Sequence, residues 1–165
     1  ADFHSELGRC QHAVGELNTA RLLFQRSIAI RRNTLEDMAG TVENLGDLAA
    51  LERDAGNVQA ALRGYRNALA QLEASEGNRH RLAIGLRRNL CAMERASGEL
   101  GIAERDCHDA LTLALDLQGA RHPDTIDVTR ELAAIHVDMG RYREAEKAFI
   151  DSRRWLQARL GSQHA

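Results

Sequence analysis

Apolar residues in this chain recur with a helical period on either side of a set of glycines. Ahead of Gly140 stand Val128, Leu132, Ile135 and Met139; after it come Tyr142, Ala145, Phe149, Ser152 and Leu156. Each set marks one face of an amphipathic helix with a period of about 3.6 residues. Leu86, Leu90 and Met93 do the same ahead of Gly98, with Ser97 as a weak last member. The glycine between the two sets ends the first helix, because a left-handed backbone is easy only for glycine. The pattern predicts helix, glycine turn, helix, repeated along the chain.

The repeat has a measurable register. Gly15, Gly56, Gly98 and Gly140 are 41, 42 and 42 residues apart. Eight positions before each glycine stands a leucine: Leu7, Leu48, Leu90, Leu132. The next position is small: Gly8, Ala49, Cys91, Ala133. Five after each glycine comes alanine (Ala20, Ala61, Ala103, Ala145), and nine after it Phe24, Tyr65, Cys107 and Phe149. Small residues at fixed columns let two helices approach, and the bulky residue opposite fills the gap. A single helix pair cannot bury both its faces, so the pairs must stack. The repeats fall at about residues 1–35, 36–77, 78–119 and 120–161.

A second marker lies between repeats. Gly77, Gly119 and Gly161 are 42 apart, as are His80, His122 and His164. His122 is followed by Pro123-Asp124-Thr125, a helix-start signal. The recurring histidines are read as caps or packing for the inter-repeat turn. The first junction, around RNTLEDMAG, lacks the marker and is expected to turn differently.

Composition narrows the function classes. A formal net charge of −2 over 165 residues gives no general attraction to nucleic acid or acidic membranes. Basic spots at Arg79-His80-Arg81, Arg87-Arg88 and Arg153-Arg154 have few aromatics near them for base stacking. Lys147 is the sole lysine, a bias read as that of a GC-rich, bacterial genome. Three cysteines without a framework spacing argue for a reducing, cytoplasmic setting. Neither a signal peptide nor a membrane-spanning apolar run is visible. The chain opens without methionine inside a first helix and ends where a fifth repeat would begin, so it reads as a fragment of a longer chain.

These columns resemble the tetratricopeptide repeat family, and the long period with the LQGARHPDT opening is similar to its kinesin-light-chain type. The resemblance covers essentially the whole chain. It implies an all-α fold: a right-handed α-superhelix, or solenoid, of four helix pairs with a concave groove lined by the first helix of each pair. It also implies a scaffold that binds a protein or peptide segment there. Two departures stand out. The large residue that the family often carries four before the glycine is here Gln11, Glu52, Glu94 and His136, and the aromatic column holds Cys107 in the third repeat.

The family's groove columns, carried over, give Arg53, Arg88, Asn89, Arg95 and Arg130 as candidate peptide contacts, with Ala92 and Ala134 leaving room on the floor. Arginine forks suit carboxylates, and an asparagine amide suits a peptide backbone. The expected ligand is therefore an acidic or carboxylate-bearing segment. The plain alternative is a solvated helix face whose Arg–Glu pairs contribute little. The carboxylate-clamp set of some family members is not matched. On the last helix Trp155 and Leu156, with Phe149, Ile150 and Leu160, are expected to be exposed, or covered by another copy or a partner.

Other chemistry is thin. Cys91 and Cys107 occupy core columns and read as small apolar residues. Cys10-Gln11-His12 with His4 looks ligand-like but does not make a site. The repeat histidines stand too far apart to share one zinc. No nucleophile elbow, phosphate loop or metalloprotease motif occurs, so no catalytic activity, metal or cofactor is expected. The alternative to a free-standing scaffold is a structural or regulatory segment of a larger signalling or nucleotide-binding protein, packing on its own domains or on a second copy.

Overall fold

The computed structural model describes residues 1–77 and 79–161, apart from the side chains of residues 35 and 158–160. Among these the regular structure is helical: α1 Asp2–Ala13, α2 Leu17–Ile30, α3 Met38–Asp54, α4 Val58–Glu76, α5 Arg81–Ala96, α6 Leu100–Gln118, α7 Pro123–Asp138 and α8 Tyr142–Gly161. Each predicted helix–glycine–helix unit is present. His164 and the Leu160 side chain lie outside the described residues.

The four turns close in one way. At Gly140, φ is +74°; its N–H donates to Val137 O, and that of Arg141 donates to His136 O. The same two bonds recur at Gly15, Gly56 and Gly98. This closure satisfies carbonyls that a helix end leaves open, and it needs the left-handed residue that glycine supplies.

The chain divides into two compact units, Ala1–Leu82 and Ala83–Ala165. In the first, Phe24 and Ala20 of α2 pack with Leu48 and Leu51 of α3. Gly8 gives the Phe24 ring its room: a Cβ there would lie 2.7 Å from Phe24 Cε1. Where the same column is Ala49, the partner helix supplies the glycine instead, since a Cβ on Gly64 would lie 2.8 Å from the Ala49 Cβ. In the second unit Ala103, Cys107, Ala110 and Ala114 form a small-residue face on α6 that meets Val128, Leu132 and Ile135 of α7. Cys107 thus replaces the aromatic by joining a row of small side chains, and it is fully buried.

The first junction does turn differently. Arg31–Leu35 continues α2 as a π-type turn, Glu36 takes φ +51°, and Asp37 caps α3 by accepting from the Gly40 N–H at 2.9 Å. Arg31 is buried there and bonds Asp2 at 2.6 Å and Asp37. At the later junctions the histidines act as caps. His80 Nδ1 accepts from the Leu82 N–H at 3.1 Å, and His122 Nδ1 accepts from the Asp124 N–H at 3.2 Å.

Candidate interaction site

In the second unit α5 and α7 present the expected groove columns, and both carry charge. Arg88 Nη1 donates to Asp127 at 3.2 Å, and its Nη2 donates to Asn89 Oδ1 at 3.3 Å. Arg95 donates to Glu131 at 2.8 Å and to Asp138 at 2.9 Å. Burial would lower the Arg95 pKa, but its bonds to Asp138 and Glu131 outweigh this and raise it. Arg130 differs. Its nearest carboxylate oxygen, on Asp127, is 3.7 Å away, and its side chain is 65% exposed.

The first unit repeats the arrangement. Arg9 of α1 reaches Asp47 of α3 at 3.1 Å, and His12 reaches Asp54 at 2.9 Å. Arg53, placed with the groove set by sequence, bonds Asp54 in this unit at 2.7 Å. In both units basic side chains on the first repeat's leading helix meet carboxylates on the second's. Of the five sequence candidates, Arg88 and Arg130 line one cavity, Asn89 and Arg95 serve neighbouring side chains on α5 and α7, and Arg53 is tied to Asp54. The pairing was hard to foresee because its partners stand 36 to 43 residues apart.

The cavity in the second unit has a volume of about 380 Å³ and is lined by Arg88, Asp127, Arg130, Glu131, Ala134 and Phe149. An adjoining patch is formed by Glu146, Phe149, Ile150 and Arg153. Phe149 is 43% exposed, whereas Phe24, Tyr65 and Cys107 of the same column are at 0%. Leu156 is exposed, and Trp155 is half-buried.

The position four before the glycine turns out to be polar for a reason. In the first unit Glu52 accepts two bonds from Arg21, at 2.6 and 3.1 Å. In the second unit the same columns hold Glu104 and His136, with His136 Nε2 3.2 Å from Glu104 Oε1. Arg141 Nη1 donates to the same oxygen at 2.5 Å, and His108 Nε2 lies 4.0 Å from it. Burial would raise the Glu104 carboxyl, but the bonds from Arg141 and His136 hold it below the usual range. This polar joint between α6 and α7 was not anticipated. Its sequence signal is the replacement of the family's large apolar residue by a charged or imidazole side chain in successive repeats.

Comparison with known proteins agrees with this architecture. A family model, tetratricopeptide repeat, matches residues 81–158. By sequence, no curated protein matches the chain. Among solved structures, BtubC (BKLC) from P. vanneervenii superposes with a TM-score of 0.83 at 19% identity, covering 96% of this chain and 63% of that one. This chain thus spans less than two thirds of that protein's length. A Podosopora anserina protein described as a kinesin light chain with nearly identical TPR-like repeats gives 0.71 at 21% identity, covering 94% and 74%. The apo form of RapI gives 0.83 at 16%, covering 95% and 42%. At such identities the likeness is one of fold, that of α-solenoids built from helix pairs. Residues 81–158 match the tetratricopeptide repeat family model, and the rest of the chain carries the same columns on the same helix pairs.

Proposed function

We propose that this chain is a scaffold that holds a partner protein segment in the cavity of its second unit, with Phe149 as the apolar contact and Arg130 as the cation. The observation that carries the reading is the exposure of Phe149 at a column otherwise fully buried, on the rim of a polar cavity. Arg88 and Arg95 already hold carboxylates, so Arg130 is the arginine with capacity for an acidic residue of the ligand. A segment carrying an apolar side chain beside an acidic one fits this chemistry. The reading is of a binding module rather than an enzyme, and free cysteines suit a reducing compartment such as the cytoplasm.

Selection of a displayed peptide library against the chain tests it, with an Arg130→Glu/Phe149→Asp variant as counter-target. Enriched peptides should pair an acidic and an apolar residue, bind less well as salt rises, and fail on the variant. No enrichment, or equal binding to the variant, would sink the reading.

A second reading, head-to-tail self-association, has its own observation. Phe3 of α1 and Val14, just past its end, are each 73% exposed, and Cys10 is exposed too. They stand at the offsets from the turn glycine where the fourth repeat carries Val128, Met139 and Ile135, which pack in the cluster that holds Cys107. A second copy's α1 would then cover Phe149 as α7 covers Cys107. Sedimentation velocity decides: Val14→Asp and Phe149→Asp variants should each stay monomeric, yet pair when mixed. A wild-type chain that is monomeric at every concentration excludes it.

A further inference from the structure

We propose that Glu104, His108 and His136 form a binding site for a divalent transition-metal ion that bridges the third and fourth repeats. Glu104 and His108 are four residues apart on α6, so their side chains rise from one face of that helix; His136 comes across from α7. One ligand atom from each lies within 4.8 Å of the other two. His136 Nε2 and Glu104 Oε1 are already 3.2 Å apart, and His108 Nε2 is 4.0 Å from that oxygen. Ligand atoms on a tetrahedral zinc ion, bound at about 2.0–2.2 Å, stand roughly 3.3–3.5 Å apart. Rotation of the exposed His108 side chain closes the remaining difference.

The donor set suits such an ion. Two imidazoles and one carboxylate favour zinc, nickel, copper or iron over calcium or magnesium. The set is also particular to this joint. In the first unit the same three columns hold Arg21, Gln25 and Glu52, and an arginine–glutamate bond joins the repeats there. Here the arginine is replaced by Glu104 and the glutamine by His108, and the facing residue is His136. Those changes exchange a self-sufficient ion pair for three metal-type ligands.

The competing cation is Arg141, whose Nη1 holds Glu104. Arg141 also grips Glu144, through Nε at 2.7 Å and through Nη2. It can therefore release Glu104 to a metal ion and keep a carboxylate partner. Glu144 lies close enough to interact electrostatically with both His108 and His136, so two carboxylates balance an arriving divalent charge. With three protein ligands, a fourth position on the His108 side stays open to water or to a carboxylate or imidazole from a partner. A bound ion would hold α6 to α7 and stiffen the unit that carries the Phe149 cavity.

The experiment is titration of the chelator-treated 165-residue chain with Zn²⁺, followed by calorimetry and by the melting temperature. The expected result is one saturable site per chain and a melting temperature that rises with zinc. His108→Ala, a change at an exposed side chain that leaves the helices intact by circular dichroism, should weaken binding by about 100-fold or more, since even outer-shell ligand partners give about 10–100-fold. Glu104→Gln should do the same, and a Cys10→Ala/His12→Ala variant should bind as the wild type does. Absence of a saturable site overturns the proposal. So does zinc binding that survives His108→Ala.

Discussion

Phe24 and Phe149 occupy the same column of the repeat, nine residues after the turn glycine, yet they face different surroundings. Phe24 is fully buried among Ala20, Leu48 and Leu51, with its ring against Gly8. Phe149 keeps 43% of its surface in water. Truncating a fully buried phenylalanine removes its transfer energy and leaves a cavity, together about 3–5 kcal/mol. Truncating a half-exposed one at the rim of an open cavity costs about 1 kcal/mol or less. For a chain of 165 residues each kcal/mol moves the melting temperature by about 2–4 °C. Phe24→Ala should therefore lower it by at least about 6 °C, and Phe149→Ala by only a few degrees. Urea and thermal unfolding followed by far-ultraviolet circular dichroism measure both, with low protein concentrations keeping any second copy off Phe149. A Phe149→Ala penalty as large as that of Phe24→Ala would refute the reasoning, because the ring would then belong to the chain's own core. A penalty that grows with protein concentration would instead identify a second copy as its cover.

Gly40 makes room for the buried Arg31 guanidinium, which lies where an alanine Cβ would stand. Gly40→Ala should destabilise by about 2–3 kcal/mol in urea unfolding, and adding Arg31→Ala should recover part of that loss; strict additivity would separate the two sites. The Glu52 carboxyl is held below its ordinary 4.5 by bonds from Asn57 and Arg21 against a smaller opposing effect of burial. Its contribution is complete above that value and disappears as the pH falls through the lower folded-state value. The wild type should thus lose more stability than Glu52→Gln between about pH 5 and pH 3, and equal acid slopes in urea titrations would count against the bond. Cys91 and Cys107 are fully buried, and the Cys91 thiol is pushed far up by its hydrogen bond to Cys107 and by burial. A thiol reagent should find one fast equivalent, Cys10, and two that react only on unfolding; three fast equivalents would contradict that core.

The helices, their turns and their stacking faces were legible in the residues because the information is local. The turn at Gly140 closes on Val137 and His136, within one helical turn of the glycine, and four copies of the pattern remove the ambiguity of any single one. The histidine caps at His80 and His122 were legible for the same reason: a cap reaches two residues along its own chain. The candidate site was legible only in part. Sequence columns placed Arg88 and Arg95 on α5 and Arg130 on α7 among the expected groove positions, but whether an arginine is available depends on what stands opposite it. Asp127, Glu131 and Asp138 meet Arg88 and Arg95 from another helix, 36 to 43 residues on, and leave Arg130 as the exposed cation. Glu104, His108 and His136 belong to no spacing motif, since α6 supplies two of them and α7 the third. The period of the chain by itself determined which residues share a face. Only the packing of one helix against the next decided which side chains meet, because distance across a helix–helix contact is set by stagger and rotamer and not by separation along the sequence.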